Sequence, residues 1–320
     1  MTDVVLEARG LRVHYHTKRG PVKAVDDVNF ELREGETLGV VGETGCGKST
    51  LGKAILGLLP PRTRVEGSLM LRGRELLGLP PAEYRRLRGE ELALIFQDPM
   101  TRLDPLMRIR EHFVETLQAH SRKLSKDEAS GRAAKVLLSM GIPEGRLDHY
   151  PHEFSGGMRQ RIMIAMALVL RPKLLVADEP TTSLDVIVEA QILDILRDLR
   201  RAYAMSLLLI THNLGIVAEV CDRTAVMYAG KLVEIGPVED VFRRPIHPYT
   251  QGLLASTISL ETRELRSIDG LPPSLLTPPP ACRFHPRCVH AKEICTKEEP
   301  PTAEYRKGHF AACHFGRDFV

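Results

Sequence analysis

A glycine-rich stretch near the start of the chain, GETGCGKST, has the residue types that hold phosphate. It fits G-x-x-x-x-G-K-[ST], and it follows an apolar strand-like run and opens a predicted helix. The glycines let successive backbone N–H groups turn towards phosphate oxygens, and the helix N-terminus adds partial positive charge. Lys48 is expected to reach the β- and γ-phosphates, and the Ser49 hydroxyl to bind Mg²⁺. The expected nucleotide contacts of this phosphate loop (residues 42–50) are Gly42, Glu43, Thr44, Gly45, Cys46, Gly47, Lys48, Ser49 and Thr50.

A second candidate site lies at the end of the apolar run LLVADEP, which carries two adjacent carboxylates. The run predicts a strand that places Asp178 at its C-terminal end, where ligands bind in open α/β sheets. Asp178 is expected to hold Mg²⁺, directly or through water, and Glu179 to orient or deprotonate an attacking water. Together with the phosphate loop, this pair indicates hydrolysis of a nucleoside triphosphate.

Four of the six cysteines, Cys282, Cys288, Cys295 and Cys313, lie in the C-terminal tail. Structural zinc sites prefer cysteine pairs about two to four residues apart, and these gaps are wider, which argues mildly against zinc. The spacing also differs from the tight ferredoxin pattern. Nearby histidines could replace a thiol, namely His285, His290, His309 and His314. Spacing alone therefore leaves the identity of a bound metal open.

Composition narrows the class of protein. The chain has 320 residues, of which 43% are apolar, and 44 basic residues nearly balance 41 acidic ones. No block of Lys and Arg typical of a nucleic-acid-binding surface stands out. The longest strongly apolar run, IMIAMALVL, is far shorter than the roughly 20 residues of a membrane-spanning helix. The start MTDVVLEARG has no signal-peptide pattern, so we expect a cytosolic chain, where clustered cysteines more often bind metal than form disulfides.

The order of predicted elements indicates an α/β fold. Strand-like runs and turns fill the first forty residues, a helical segment covers about 103–170, and strands then alternate with helices, which predicts a largely parallel core sheet. Beyond about residue 240 the alternation of strands and helices ends, and the proline-rich run LPPSLLTPPPAC leads into the cysteines. The predicted domains are residues 1–240 and residues 241–320.

The stretch HEFSGGMRQR resembles the signature motif of ATP-binding cassette (ABC) ATPases, usually LSGGQ. Phe154 replaces the Leu and Met158 the Gln, whereas Ser155, Gly156 and Gly157 are kept. In that family the motif binds ATP held by the opposite subunit. A serine hydroxyl, two glycine backbones and a helix N-terminus suit such an anion site. In isolation a plain helix cap by Ser155 would be the favoured interpretation, but the other family motifs appear in order.

Further motifs follow in the family's order. Gln97 in LIFQDP matches the Q-loop, which senses Mg²⁺ and the membrane partner. Ser183 and Asp185 match the D-loop at the dimer seam, and His212 matches the switch histidine that contacts the γ-phosphate. Tyr15 matches the aromatic residue that stacks on adenine. The resemblance thus implies a P-loop ABC cassette with an N-terminal antiparallel β subdomain, an α-helical signature subdomain and a small C-terminal cysteine-rich extension.

A narrower resemblance points to the ATPase subunits of dipeptide and oligopeptide importers, a pattern that nickel importers largely share. It rests on IFQDPMTRLDPL, AVMYAGKLVEIGPVEDVF and RRPIHPYTQGLL. HPYT opens the extension typical of that branch, and we assign it no chemistry beyond shaping a turn. Some subunits of this branch carry a CxFHPRC module that holds a [4Fe-4S] cluster, and CRFHPRC is similar to it. The resemblance therefore implies a [4Fe-4S] cluster on the four tail cysteines, with Zn²⁺ as the alternative.

The resemblance also implies partners. One phosphate loop and one signature motif per chain imply two cassettes that sandwich ATP, here a heterodimer with a second, related ATPase. Two membrane permease subunits would hold the pair at the cytoplasmic face of the membrane, and an extracytoplasmic binding protein would deliver the solute. The alternatives are nickel or another small solute as cargo, a soluble cassette acting on nucleic acid or ribosomes, and a redox or metal module with secondary ATPase activity.

Overall fold

The computed structural model describes residues 3–96, 102–181, 185–256 and 267–320. Within these ranges the strands are β1 (Val4–Thr17), β2 (Gly20–Arg33), β3 (Thr37–Val41), β4 (Arg64–Leu71), β5 (Arg74–Glu75), β6 (Leu92–Ile95), β7 (Leu174–Asp178), β8 (Ser206–Ile210), β9 (Arg223–Tyr228), β10 (Lys231–Pro237), β11 (Thr302–Arg306) and β12 (His309–Ala312). The α-helices are α1 (Lys48–Ile55), α2 (Pro81–Glu90), α3 (Ile109–His120), α4 (Lys126–Ser139), α5 (Gly156–Leu168), α6 (Val186–Tyr203), α7 (Leu214–Val220), α8 (Val238–Arg243), α9 (Pro248–Ala255) and α10 (Ile294–Lys297).

The chain divides into two compact units, which are residues 1–78 with 209–320, and residues 79–208. The first unit contains an antiparallel sheet in the order β2-β1-β4-β5. Its strands turn apolar side chains such as Leu6, Leu11 and Leu69 inwards, where they are fully buried. This sheet confirms the antiparallel β subdomain predicted at the N-terminus.

A second group of strands in the same unit has the order β11-β12-β10-β9-β3. β3 and β9 pair in parallel, with Val40 opposite Ala225. β10 pairs antiparallel with β9 and, on its other edge, with β12, where Ile235 lies opposite Phe310. The tail therefore adds two strands to the sheet that contains β3, the strand before the phosphate loop. The sequence analysis did not predict these strands.

The second unit combines buried strands with helices. β6 and β7 pair in parallel, with Leu94 opposite Val176, and every residue of β7 is buried. Helices α3, α4 and α5 occupy the segment that the sequence predicted to be helical. α4 begins with a capping box in which Ser125 and Glu128 satisfy each other's backbone N–H groups. The predicted α/β class is thus confirmed, while the domain boundary near residue 240 stays a prediction.

Among the helices of the described ranges, none is both long enough and apolar enough to cross a bilayer.

Candidate functional site

The phosphate loop connects β3, whose five residues are all buried, to α1. Gly47 adopts φ +111°, and a Cβ atom there would lie 1.9 Å from the carbonyl oxygen of Ala24. Only glycine fits this position, because any side chain would meet both the left-handed backbone and a fixed carbonyl. The loop is therefore built for close backbone turns, as phosphate binding requires.

Lys48 is the first residue of α1 and is almost fully buried. Its Nζ donates to the carbonyl oxygens of Gly42 (2.7 Å) and Glu43 (3.1 Å), so the ammonium lies against the inner side of the loop. Ser49 and Thr50 follow in the first turn of α1, and the Tyr15 hydroxyl donates to Thr50 Oγ1 at 3.1 Å. The half-buried Tyr15 is thus placed beside the first turn of the helix that follows the loop.

Cys46 is the cysteine inside the loop, and it is 5% exposed. Burial raises the pKa of its thiol, which keeps the thiol protonated and unreactive. Its carbonyl oxygen accepts a hydrogen bond from Gly230 N at 2.8 Å. These features are those of a small packed residue and not of a redox group.

In the second unit, β7 carries Asp178 at its last position, and the side chain is 8% exposed. Glu179 follows with φ +49°, a left-handed conformation that non-glycine residues seldom adopt. Such backbone strain is concentrated at functional sites. At Glu179, which is half-buried, the backbone therefore leaves the extended conformation of β7 directly after the buried Asp178.

The signature stretch lies at the N-terminus of α5. Ser155 caps the helix by accepting from Met158 N at 3.3 Å, and both Ser155 and Gly156 are exposed. Phe154, which replaces the leucine of the family motif, is 3% exposed and therefore packs in the interior. The cap and the anion site are compatible, because the hydroxyl and the first backbone N–H groups of α5 share one exposed end.

The start of α6 packs against the start of α5. Asp185 caps α6 by accepting from Val188 N at 2.9 Å, and a Cβ added to Gly157 would lie 2.8 Å from Val188 Cγ1. Next to the Asp185 cap, Val186 and Ile187 are 80% and 72% exposed. The signature stretch and the Asp185 turn therefore lie side by side, next to exposed apolar side chains.

His212 follows the end of β8. Thr211 N donates to Val40 O at 3.1 Å, and Asn213 N donates to Thr211 Oγ1 at 3.0 Å. This pair of bonds places the exposed His212 at the end of the sheet beside β3, the strand that enters the phosphate loop. Gln97 and Ser183, the two other predicted site residues, lie outside the described residues.

Comparison with known proteins decides the family. A family model for the ABC transporter matches residues 25–182, and one for the oligopeptide/dipeptide transporter C-terminal region matches residues 233–295. The chain is 50% identical over 315 residues to the oligopeptide transport ATP-binding protein OppD of Salmonella typhimurium, covering 97% of this chain and 93% of that protein. It is 46% identical over 317 residues to the dipeptide transport ATP-binding protein DppD of Bacillus subtilis, covering 97% and 94%.

The chain belongs to the oligopeptide and dipeptide transport ATP-binding proteins of the ABC transporter family. Solved structures agree with the fold. A dimeric ATP-binding cassette in a post-hydrolysis state with ADP and Pi matches with a TM-score of 0.66 at 25% identity, covering 73% of this chain and 98% of that one. The cbiO1 cassette of Clostridium perfringens matches with a TM-score of 0.65 at 28% identity, covering 76% and 93%. The predicted ABC-cassette fold and ATPase class are thereby confirmed.

In this ABC ATPase the four tail cysteines, none of them in a disulfide, line one small cavity. Burial, together with a smaller contribution from the neighbouring cysteines, raises the pKa of the Cys282 and Cys313 thiols to about 11. In the described ranges no group of three or more His, Cys, Asp or Glu side chains has the arrangement that would hold a metal ion. The predicted cluster is therefore not confirmed by a ready-made metal site.

The histidines near these cysteines have other contacts. His285 Nδ1 lies 2.8 Å from Cys282 O, and His314 Nε2 lies 3.0 Å from Glu298 O. His309 is fully buried with its Nε2 2.7 Å from Glu234 Oε1, and the His290 ring packs against Phe319. His285, His290 and His314 also line the cavity that the four cysteines line.

Sequence reasoning missed two residues of the extension that contact the phosphate loop. The HPYT stretch opens helix α9 and does more than shape a turn, because the Tyr249 hydroxyl accepts a hydrogen bond from Glu43 N at 2.9 Å. Arg287, inside CRFHPRC, forms an ion pair with the Glu43 carboxylate. The signal was the branch-specific motifs themselves, which no local pattern connects to residue 43.

Proposed function

We propose that this chain hydrolyses ATP to drive the import of dipeptides and oligopeptides. The observation that carries the proposal is a phosphate loop with a buried, inward-facing Lys48 in a chain 50% identical to an oligopeptide transport ATP-binding protein over nearly its whole length. Nickel or another small solute remains the alternative cargo, since importers of nickel share much of the motif pattern.

We assign the site residues by the family motifs that they match. The loop amides and Lys48 would bind the β- and γ-phosphates, while Ser49, Asp178 and Gln97 would hold Mg²⁺. Glu179 would orient and deprotonate the attacking water, and His212 would contact the γ-phosphate. Preorganised charge around the transferred phosphoryl group supplies most of the rate enhancement in such sites. Tyr15 would stack on the adenine.

We further propose that ATP joins two cassettes, with Ser155, Gly156, Gly157 and Met158 of each binding the nucleotide held by the other. The exposed pair Val186 and Ile187, beside the Asp185 cap, supports this seam, because contiguous apolar side chains at the surface mark interaction sites. A dimeric solved cassette is among the similar structures. We propose a related second ATPase as partner, two permeases that hold the pair at the cytoplasmic face of the membrane, and an extracytoplasmic binding protein.

Solute uptake into vesicles that contain the assembled transporter tests the cargo. Uptake of a labelled tripeptide that requires ATP, and that unlabelled peptide but not Ni²⁺ suppresses, is the expected result. ATP-driven uptake of ⁶³Ni²⁺ without peptide uptake would overturn the peptide assignment while leaving the ATPase assignment intact.

For the extension, residues 241–320, we propose a [4Fe-4S] cluster held by Cys282, Cys288, Cys295 and Cys313. Four free thiols around one cavity, with aromatic rings of Phe284, Phe315 and Phe319, fit the all-cysteine donor set of such clusters. Zinc needs four sulfurs that converge on one point about 2.3 Å away, whereas a cluster of several atoms accepts more widely separated thiolates. The four thiols around one cavity therefore support the cluster proposal, with Zn²⁺ as the alternative.

When bound, the cluster would link the four cysteines and so cross-link the segments of the tail that carry them. The protein's part is to deliver four thiolates into a cavity shielded by aromatic rings, and burial of the thiols makes their deprotonation dependent on the bound metal.

Metal analysis of anaerobically purified protein is expected to find iron and acid-labile sulfide in equal amounts, with the broad visible absorbance of iron–sulfide charge transfer. Cys288→Ser should remove most of that absorbance because one of four ligands is lost. Cys221→Ser, a half-buried cysteine outside the extension, is the matched control and should retain it. Stoichiometric zinc without iron would overturn the assignment.

A further inference from the structure

Glu43, the second residue of the phosphate loop, is held by two residues from the C-terminal part of the same compact unit. Its N–H donates to the Tyr249 hydroxyl at 2.9 Å. Its carboxylate accepts hydrogen bonds from both terminal nitrogens of Arg287, with distances of 2.7 Å for Nη1–Oε2 and 3.1 Å for Nη2–Oε1. Two parallel N–H···O bonds form a fork that a lysine could not reproduce, so the pair fixes direction as well as charge.

Arg287 is itself held firmly by the tail. Its side chain is only 6% exposed, and its Nε donates to the Asp269 carbonyl oxygen at 2.9 Å. Its guanidinium carbon lies 5.8 Å from the centre of the Tyr228 ring, and Tyr228 in turn makes an edge-to-face contact with Phe284. The hydrogen bonds to Glu43 raise the pKa of Arg287, so its charge is permanent. The position of the guanidinium is therefore set by the C-terminal extension together with Tyr228 of β9.

Glu43 also contacts Lys48, the lysine expected to bind phosphate. The Glu43 carbonyl oxygen accepts from Lys48 Nζ at 3.1 Å, so one residue contacts Arg287 through its side chain and Lys48 through its backbone. The Glu43 carboxylate is also a negative charge within a loop that must bind a polyphosphate. Like charges at such short range disfavour binding unless a cation neutralises one of them.

We propose that Arg287 is a positioning residue for the nucleotide site, which holds and neutralises Glu43 and so couples the C-terminal extension to the ATP affinity of the phosphate loop. The inference rests on the proposed nucleotide-binding role of that loop. If Arg287 only attached the tail to the cassette, its loss would affect ATP binding whether or not Glu43 carries a carboxylate. Under the proposal, the effect of Arg287 on ATP affinity requires the Glu43 carboxylate.

A double-mutant cycle on the full-length chain tests this route, with MgATP binding measured by titration calorimetry. Arg287→Ala is expected to raise the dissociation constant about tenfold, the range for loss of a charged hydrogen-bonded pair. In the Glu43→Gln background, Arg287→Ala should change the dissociation constant by less than about twofold, the usual limit of additivity. The exposed Arg317→Ala, in the same extension, is the matched control and should bind as the unmodified chain does.

An equal loss of affinity in both backgrounds would overturn the proposal, because Arg287 would then act without Glu43. No loss in either background would overturn it as well. Should Arg287→Ala fail to fold, Arg287→Lys serves instead, with an expected loss of roughly threefold that Glu43→Gln again removes. If the unmodified chain and Lys48→Ala bind MgATP alike, the loop assignment itself is wrong, which separates that failure from failure of the coupling.

Discussion

Lys48→Ala is expected to abolish measurable MgATP binding by this chain. The Lys48 ammonium is buried and held against the loop by the carbonyl oxygens of Gly42 and Glu43. Its loss removes the main positive charge offered to the β- and γ-phosphates and leaves those carbonyls facing the nucleotide. Removal of one partner of a buried charge pair costs about 2–5 kcal/mol, so the dissociation constant should rise by about thirtyfold to several thousandfold.

Equilibrium titration with MgATP checks this prediction, and circular dichroism shows whether the variant is folded. Lys53→Ala is the matched control, since Lys53 lies on the same helix but is exposed to solvent. An unchanged nucleotide affinity for folded Lys48→Ala would contradict the assignment of the phosphate loop.

Glu179→Gln is expected to stop ATP turnover while MgATP still binds. The substitution keeps the size and polarity of a side chain that follows the buried Asp178, but it removes the base that would take a proton from the attacking water. General-base catalysis contributes about 10²–10⁴-fold, so the turnover rate of the assembled transporter should fall by at least about a hundredfold. The dissociation constant for MgATP should stay within about threefold, because the phosphate contacts from the loop remain.

Phosphate release by the assembled transporter and MgATP titration of the chain together separate chemistry from binding. Glu219→Gln, an exposed glutamate on α7, should leave both quantities unchanged. Near-normal hydrolysis by the Glu179→Gln transporter would remove Glu179 from the role of base.

The strand and helix pattern of the nucleotide site could be predicted closely from the sequence. LLVAD was expected as a strand and forms β7 with the same bounds, and the stretch VIVEAQILDILRDLRRAY after it forms α6, in line with the predicted alternation of strands and helices. Both succeed for a local reason: the strand is a short apolar run buried on both faces, and the helix repeats Ile192, Leu193, Leu196 and Leu199 along one face. The phosphate loop was equally predictable, because its chemistry depends on consecutive backbone groups.

The tail was the least predictable part of the fold. TAEYR and HFAA are too short to carry a strong strand signal, yet they form β11 and β12 because β10 offers a free edge for pairing. The cysteine-rich tail is packed on the cassette through Phe284, which contacts Tyr228 and Tyr249.

The sequence by itself determined the nucleotide-binding chemistry and the kind of protein, because phosphate binding needs a contiguous run of glycines, a lysine and a helix start. Only the tertiary structure decided which residues of the tail contact that loop. Arg287 and Glu43 are 244 residues apart, and no local pattern brings them together. Their contact depends on the folding of the tail onto β10 and on the packing of Tyr228, Tyr249 and Phe284 beneath it, and such long-range packing is invisible to any window of sequence.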